Sequence, residues 1–481
     1  MNKNLYNKRF ESDYDNQTQY HIIKGENRMK LKNILLYLSS LMLFAIIGCE
    51  DSDDTVVAPT TGDTGIETPT EYDFTSRFIN IIGEDNSSVS YSGQVVRNLL
   101  IGDIKGQMTT DAGPGGSSVT TLAMMANSDP DLAIAAASGL STPAMQAKYH
   151  DISTSKLTDR LDAVSTYYLP GFEYNGSPVN AGDAITGWVM EAAAAGITRA
   201  NGVHLGQITQ KTLWGAVSYW QATSKYMSKI PDDEATNGEA DGTSNYSSME
   251  HHWDESFGYF GAAVDYHTAT SYADDNARKT QKFFDTNSDG SIDFKSEFTT
   301  GWAVTAAKRD LCSGCTTGDF TETIFDAYLE GRTLITNQAP LAEILVQRDI
   351  ISTTWEQVVA AVTMHYINDT WEEIYAQVTA TDFDAAAFTP GSAAAADYEV
   401  YWAEMRGYAH GLLYNDFSVH TTNGTPSTAL AAVFTVMGTA PVYPDADGST
   451  TAFVAYHDAL KGLKSTFMDL YNFSQADVDN F

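Results

Sequence analysis

Residues 249–261 read MEHHWDESFGYFG and crowd two histidines, several carboxylates and four aromatic rings into one run. Imidazole and carboxylate side chains can hold a transition metal, or pass a proton between them. On a helix, Trp253, Phe257, Phe260 and Val264 form one apolar stripe, which is a packing face. His252 and Glu255 lie three apart, with Tyr259, on a neighbouring face, while His251 points away toward solvent. A His-x-x-Glu pair on a bundle helix is a way to build a site for iron, zinc or copper. Two ligands do not complete such a site; His204, His365, Glu404 and His410 are the candidates for the rest. A hydrogen-bonded pair closing a seam between helices is the alternative, and it stays open. H-E-x-x-H and G-x-S-x-G are absent, and no Ser/His/Asp set can be singled out. A non-enzymatic role is therefore favoured over a metallohydrolase using Glu255 as general base.

A second chemistry sits at DTNSDGSIDFKSE, Asp285 to Glu297, whose start resembles an EF-hand calcium loop. Asp285, Asn287 and Asp289 would supply side-chain oxygens, Ser291 a carbonyl, and Asp293 the ninth position. Gly290 marks the sharp turn, and Ile292 would anchor the loop to a core. The twelfth position, where a bidentate Glu belongs, holds Ser296. Either a bulge brings in Glu297, or Asp293 and water complete the shell. The flanks DDNARKTQKFF and FTTGWAVTAAKRDL read as helices, so the expected role of Ca2+ is to pin two helices together. A polar Asx-rich turn without metal is the alternative. Cys312 and Cys315, in CSGC, lack the second pair that a structural zinc site needs, and outside the cytoplasm they are expected to form a local disulfide.

The elements that must position these residues are helical. SGQVVRNLLIGDIKGQM, LGQITQKTLWGAVSYWQATSKYM, WEQVVAAVTMHYINDTWEEIYAQV and ADYEVYWAEMRGYAHGLLYN repeat apolar residues at helical spacing. Alternating runs are nearly absent, so the expected fold is an all-α multi-helix bundle of about ten helices over residues 73–481. Two pseudo-repeated helical halves, split near the cysteine pair, are a variant of the same reading. Residues 231–248 are expected to be a long loop without structure of its own, poised as a flap over the histidines.

The chain has 481 residues and a formal charge of -34, which disfavours nucleic acid and anionic lipid headgroups as partners. At the N-terminus, Lys30 and Lys32 precede an apolar run from Ile34 to Ile47, too short to span a membrane comfortably. The run ends in Ile46-Ile47-Gly48-Cys49, which resembles the bacterial lipobox. That resemblance implies a start at Met29, removal of residues 1–48 and acylation of Cys49. The remaining chain would carry 21 basic and 58 acidic side chains, a net of -37. The acidic run EDSDD after Cys49 resembles the surface-export signal of Bacteroidota lipoproteins, which implies an outer-membrane anchor facing the exterior. Residues 49–72, rich in Thr, Asp, Gly and Pro, read as a flexible tether.

The segments YDFTSRF, RNLLIGDIKGQM, HHWDESFGYFG, HYIND and WAEMRGYAHGL resemble an uncharacterised family of Bacteroidota lipoproteins. More distantly, His252 and Glu255 followed by FGYFG resemble the G-x-H-x-x-E motif of imelysin-like helical proteins linked to iron uptake, with Glu250 where that motif has Gly. The resemblance implies a surface lipoprotein that binds or relays metal in iron uptake, with outer-membrane uptake components as candidate partners. Capture of a glycan or another small nutrient is the alternative.

Overall fold

A computed structural model describes residues 65–78, 87–268, 271–280 and 282–481. Cys49, the apolar run before it and most of the expected tether lie outside the described residues. Residues 65–481 form one compact unit. It is mainly all-α, with 15 helices and two two-stranded sheets among the described residues, more helices than the ten expected.

Nine helices carry the architecture: α1 (Ser92–Asp111), α2 (Ala181–Ala195), α3 (Leu205–Leu213), α4 (Ser248–Phe260), α5 (Gly301–Asp310), α6 (Phe320–Thr336), α7 (Leu341–Thr379), α8 (Ala396–Gly411) and α9 (Thr451–Tyr471). At 39 residues, α7 is the spine, and it packs against α5, α6, α8 and α9. It therefore joins helices from both sides of the cysteine pair. A hairpin of β1 (Tyr168–Tyr174) and β2 (Ser177–Asn180) precedes α2.

The helix that starts at Leu205 does not stay regular. After Leu213 it continues as π-helical turns over Trp214–Tyr219 and Gln221–Tyr226. Such turns are rare and cluster at functional sites.

Helix α4 is the MEHHWDESFGYF run, and its ends follow from local chemistry. The Ser247 hydroxyl accepts the Glu250 amide, and the Glu250 carboxylate accepts the Ser247 amide, a reciprocal cap. Gly261 stops the helix in the left-handed region, φ 84°. Val264 therefore lies beyond the helix on which the apolar stripe was drawn; Trp253, Phe257 and Phe260 are fully buried as expected. Trp253 lies against Gly331 of α6, where a Cβ would come within 2.0 Å of the indole, so only glycine lets these helices approach so closely.

Two further boundaries differ from the sequence reading. Ile66 exchanges backbone hydrogen bonds with the Asn337 side chain, and Thr68 donates to Glu330. The stretch read as the end of a tether is thus held on the end of α6. Residues 231–248 are not without structure: a short helix (Ile230–Asp233) and a 3₁₀ turn (Glu234–Thr236) open the segment.

Candidate functional site

The histidine helix has two chemically distinct sides. Toward α6, Glu250 and Asp254 enter a buried ion network that the sequence reading overlooked. Arg332 donates to Glu250 Oε1 and Asp254 Oδ1, each at 2.9 Å, and to the Ser88 hydroxyl. Arg77 Nε lies 3.1 Å from Glu250, and the Tyr72 hydroxyl donates to Asp254. Burial pushes the Asp254 carboxyl up to about 6 in spite of Arg332. Burial opposes charge on Glu250 as well, but Arg332 and Arg77 outweigh it and hold that carboxyl below its ordinary range. The signal for this network was the i, i+4 pair of acids on the apolar face, beside Trp253 and Phe257.

The other side carries the predicted pair. His252 and Glu255 turn to different partners. His252 Nδ1 lies 2.6 Å from Asp233 Oδ2, and its Nε2 lies 3.0 Å from Lys229 Nζ. An ammonium can only donate, so Nε2 accepts and Nδ1 carries the ring proton toward Asp233. Both ring nitrogens are engaged. Glu255 Oε1 accepts from Gln94 at 2.8 Å. The histidine facing Glu255 is His251, with Nε2 at 3.9 Å. The expectation that His251 points to solvent is corrected: it is half-buried and stacks on Tyr246 at 4.5 Å. Helical spacing alone gave the wrong partner because i, i+4 placed His251 over Glu255, while Asp233 from the preceding segment turned His252 aside.

The surroundings of Glu255 are cationic. Lys225 and Lys229 come from the π-helical segment and the turn after it. Arg97 on α1 donates to the Tyr259 hydroxyl, and Arg160 acts electrostatically on Lys225, Tyr226 and Tyr259. Tyr226 stacks between His252 and Tyr259, at 5.9 and 6.2 Å. The result is a partly accessible polar site built from α1, the π-helical turns and α4. Asp233 and Tyr246, from the segment read as a flap, hold the two histidines.

The four candidate co-ligands are engaged elsewhere. His204 Nδ1 caps α3 by accepting from Gln207. Glu404 pairs with Lys211 at 3.2 Å. His365 sits 3.4 Å from Asp369. His410 Nδ1 meets the Thr212 hydroxyl at 2.8 Å inside the core.

In the Asp285–Glu297 loop, every acidic side chain is turned to loop amides. Asp285 accepts from Asp289 and Gly290, Asn287 from Asp289, and Asp289 from Ser291. Both Glu297 oxygens are used, one by Thr286 and Asn287 and the other by Asp293. Ile292 is fully buried and exchanges hydrogen bonds with Pro143 and Met145. The helix before the loop is short, Asp275–Thr280, and Phe283 then pairs with Phe298 instead of continuing it. A cavity of about 560 Å³ adjoins the loop, lined by Glu71, Asp73, Asp293 and Glu297 among others.

Cys312 and Cys315 are joined, with Cα atoms 5.5 Å apart. Beside them, carboxylate oxygens of Asp275, Asp310 and Asp319 lie within 4.8 Å of one another. They accept from the backbone amides of Phe320, Thr321 and Glu322 and from the Thr321 hydroxyl, which accounts for the cluster without an ion.

Neither a curated protein nor a solved structure matches the chain. The sequence model of a domain of unknown function, DUF4856, matches residues 72–395, from buried Tyr72 to the start of α8, and so includes both the α4 site and the Asp285–Glu297 loop. The chain belongs to the DUF4856 family.

Proposed function

We propose that the protein is a non-enzymatic, ligand-capturing lipoprotein, anchored through Cys49 on the outward face of a Bacteroidota outer membrane. Its ligand site is the polar face of α4 with the π-helical turns. The observation that carries this reading is the site itself: partly accessible titratable groups from three elements around Glu255 and Tyr226, beside a stretch of rare π-helix. The anchor rests on the lipobox-like Ile46–Cys49 run. No helix among the described residues is long and apolar enough to cross a membrane, which is compatible with it.

A transition-metal relay through His252 and Glu255, as the imelysin resemblance implied, is less well supported. A metal would have to displace Lys229 from His252 Nε2 and sit among four cationic side chains. Catalysis with Glu255 as base lacks a positioned metal ligand for the same reason. The Asp285–Glu297 loop is assigned a structural calcium ion. Its EF-hand-like residue order and buried Ile292 anchor support that assignment, and millimolar calcium outside a cell would fill even a weak site.

The test uses the full chain purified in detergent and screened by thermal shift against saccharides, organic acids and short peptides. At least one compound should raise the melting temperature, and Tyr226→Ala or Glu255→Gln should abolish the shift. No shift with any compound, or shifts unchanged in both variants, would sink the reading. Tight iron or zinc binding lost in Glu255→Gln would restore the metal reading in its place.

A further inference from the structure

Resting on the ligand-capture reading, we propose that the α4 site selects an anionic small molecule, one carrying a carboxylate, phosphate or sulfate group. Lys and Arg number only 28 in 481 residues of net charge -34. Three of them, Arg160, Lys229 and Arg97, nevertheless act on a fourth, Lys225, beside the carboxylate of Glu255. Like charges are not gathered in a partly dry site without cost. A chain so acidic had ample means to neutralise them. Asp233 is spent on His252, and Gln94 already takes one oxygen of Glu255.

One cationic side-chain atom here is buried without a hydrogen-bond partner, Arg160 Nε. Arg97 is different, since it is tied to the Lys156 and Gly93 carbonyls and to the Tyr259 hydroxyl. It is a fixed wall of the site, whereas Arg160 leaves its Nε without a partner and Lys225 rests over the Tyr226 ring, 5.0 Å from its centroid, with no carboxylate in ion-pair contact among the described residues. Burial, and then the repulsion of Arg160, push the Lys225 ammonium down to about 8. Glu255 pulls the other way but does not outweigh them. An arriving anion would supply a counter-ion, and a guanidinium beside an ammonium suits an oxyanion held from two directions.

Calorimetry on the full chain in detergent would decide this, with inorganic phosphate, citrate and galacturonate as anionic probes and galactose as the neutral control. At least one anion should bind in preference to galactose, and its affinity should fall with added salt. Lys225→Gln and Arg160→Gln should each weaken it about tenfold. Lys225→Arg should restore most of the affinity, which a merely structural role would not predict for a longer, planar side chain. Lys308→Gln, an exposed lysine outside the site, should leave it unchanged. Should Arg160→Gln fail to fold by circular dichroism, Lys225→Gln and Lys229→Gln carry the same test. Anion binding that ignores all of these variants overturns the proposal. If galactose or another neutral compound binds and the anions do not, the anionic class falls while ligand capture stands. If nothing binds in this set or in the wider screen, both fall.

Discussion

Replacing Arg332 by Met should expose how the histidine helix is held. The guanidinium is fully buried between Glu250 and Asp254, which are also buried. The substitution keeps much of the volume but leaves two carboxylates without their shared cation, and breaking a buried pair in this way costs about 3–5 kcal/mol. For a unit of this size the unfolding entropy is of order 0.9 kcal/mol per kelvin, so the melting temperature should fall by about 3–6 °C. The effect should depend on pH. In the native chain the Asp254 carboxyl is raised to about 6, so its contribution is favourable at low pH and is lost as pH rises through that value. Glu250 is held below its ordinary range, so it stabilises above that range and loses the benefit as pH falls. Without Arg332 both carboxyls move up, both take protons more readily, and the deficit should shrink on going from about pH 8 to about pH 5. Melting followed by circular dichroism at both pH values checks this. A fall of under about 1 °C, or one of equal size at the two pH values, would refute the account of this network.

Three other outcomes are expected. Gly331→Ala puts a methyl against the Trp253 indole, and should cost about 1–3 kcal/mol with a shift in tryptophan fluorescence; an unchanged melting curve would count against the close crossing of α4 and α6. Millimolar calcium should raise the melting temperature by about 1–3 °C, and the rise should vanish in Asp285→Asn with Asp289→Asn; equal shifts in the double variant would show that the ion binds elsewhere. Cys49→Ser should move the protein from the membrane fraction to the soluble fraction and abolish labelling by a radioactive fatty acid; persistent labelling would remove Cys49 as the acceptor.

The sequence alone was enough for the helical class, because apolar residues at helical spacing in runs such as Ser92–Asp111 and Phe320–Thr336 can bury a face in only one way. It also located the packing stripe of Trp253, Phe257 and Phe260, which local periodicity dictates whatever lies opposite. The identity of the partners was not legible. Whether His251 or His252 faces Glu255 depends on Asp233 and Lys229 arriving from the preceding segment. That Glu250 and Asp254 are core residues depends on Arg332, 78 residues beyond Asp254. The cationic setting of Glu255 needs α1, the residues around Arg160 and a stretch of π-helix, none of which leaves a pattern near residue 255. Spacing reports which side chains share a face of one element. What a side chain meets across that face is set by packing between distant segments, and there only the tertiary structure decided.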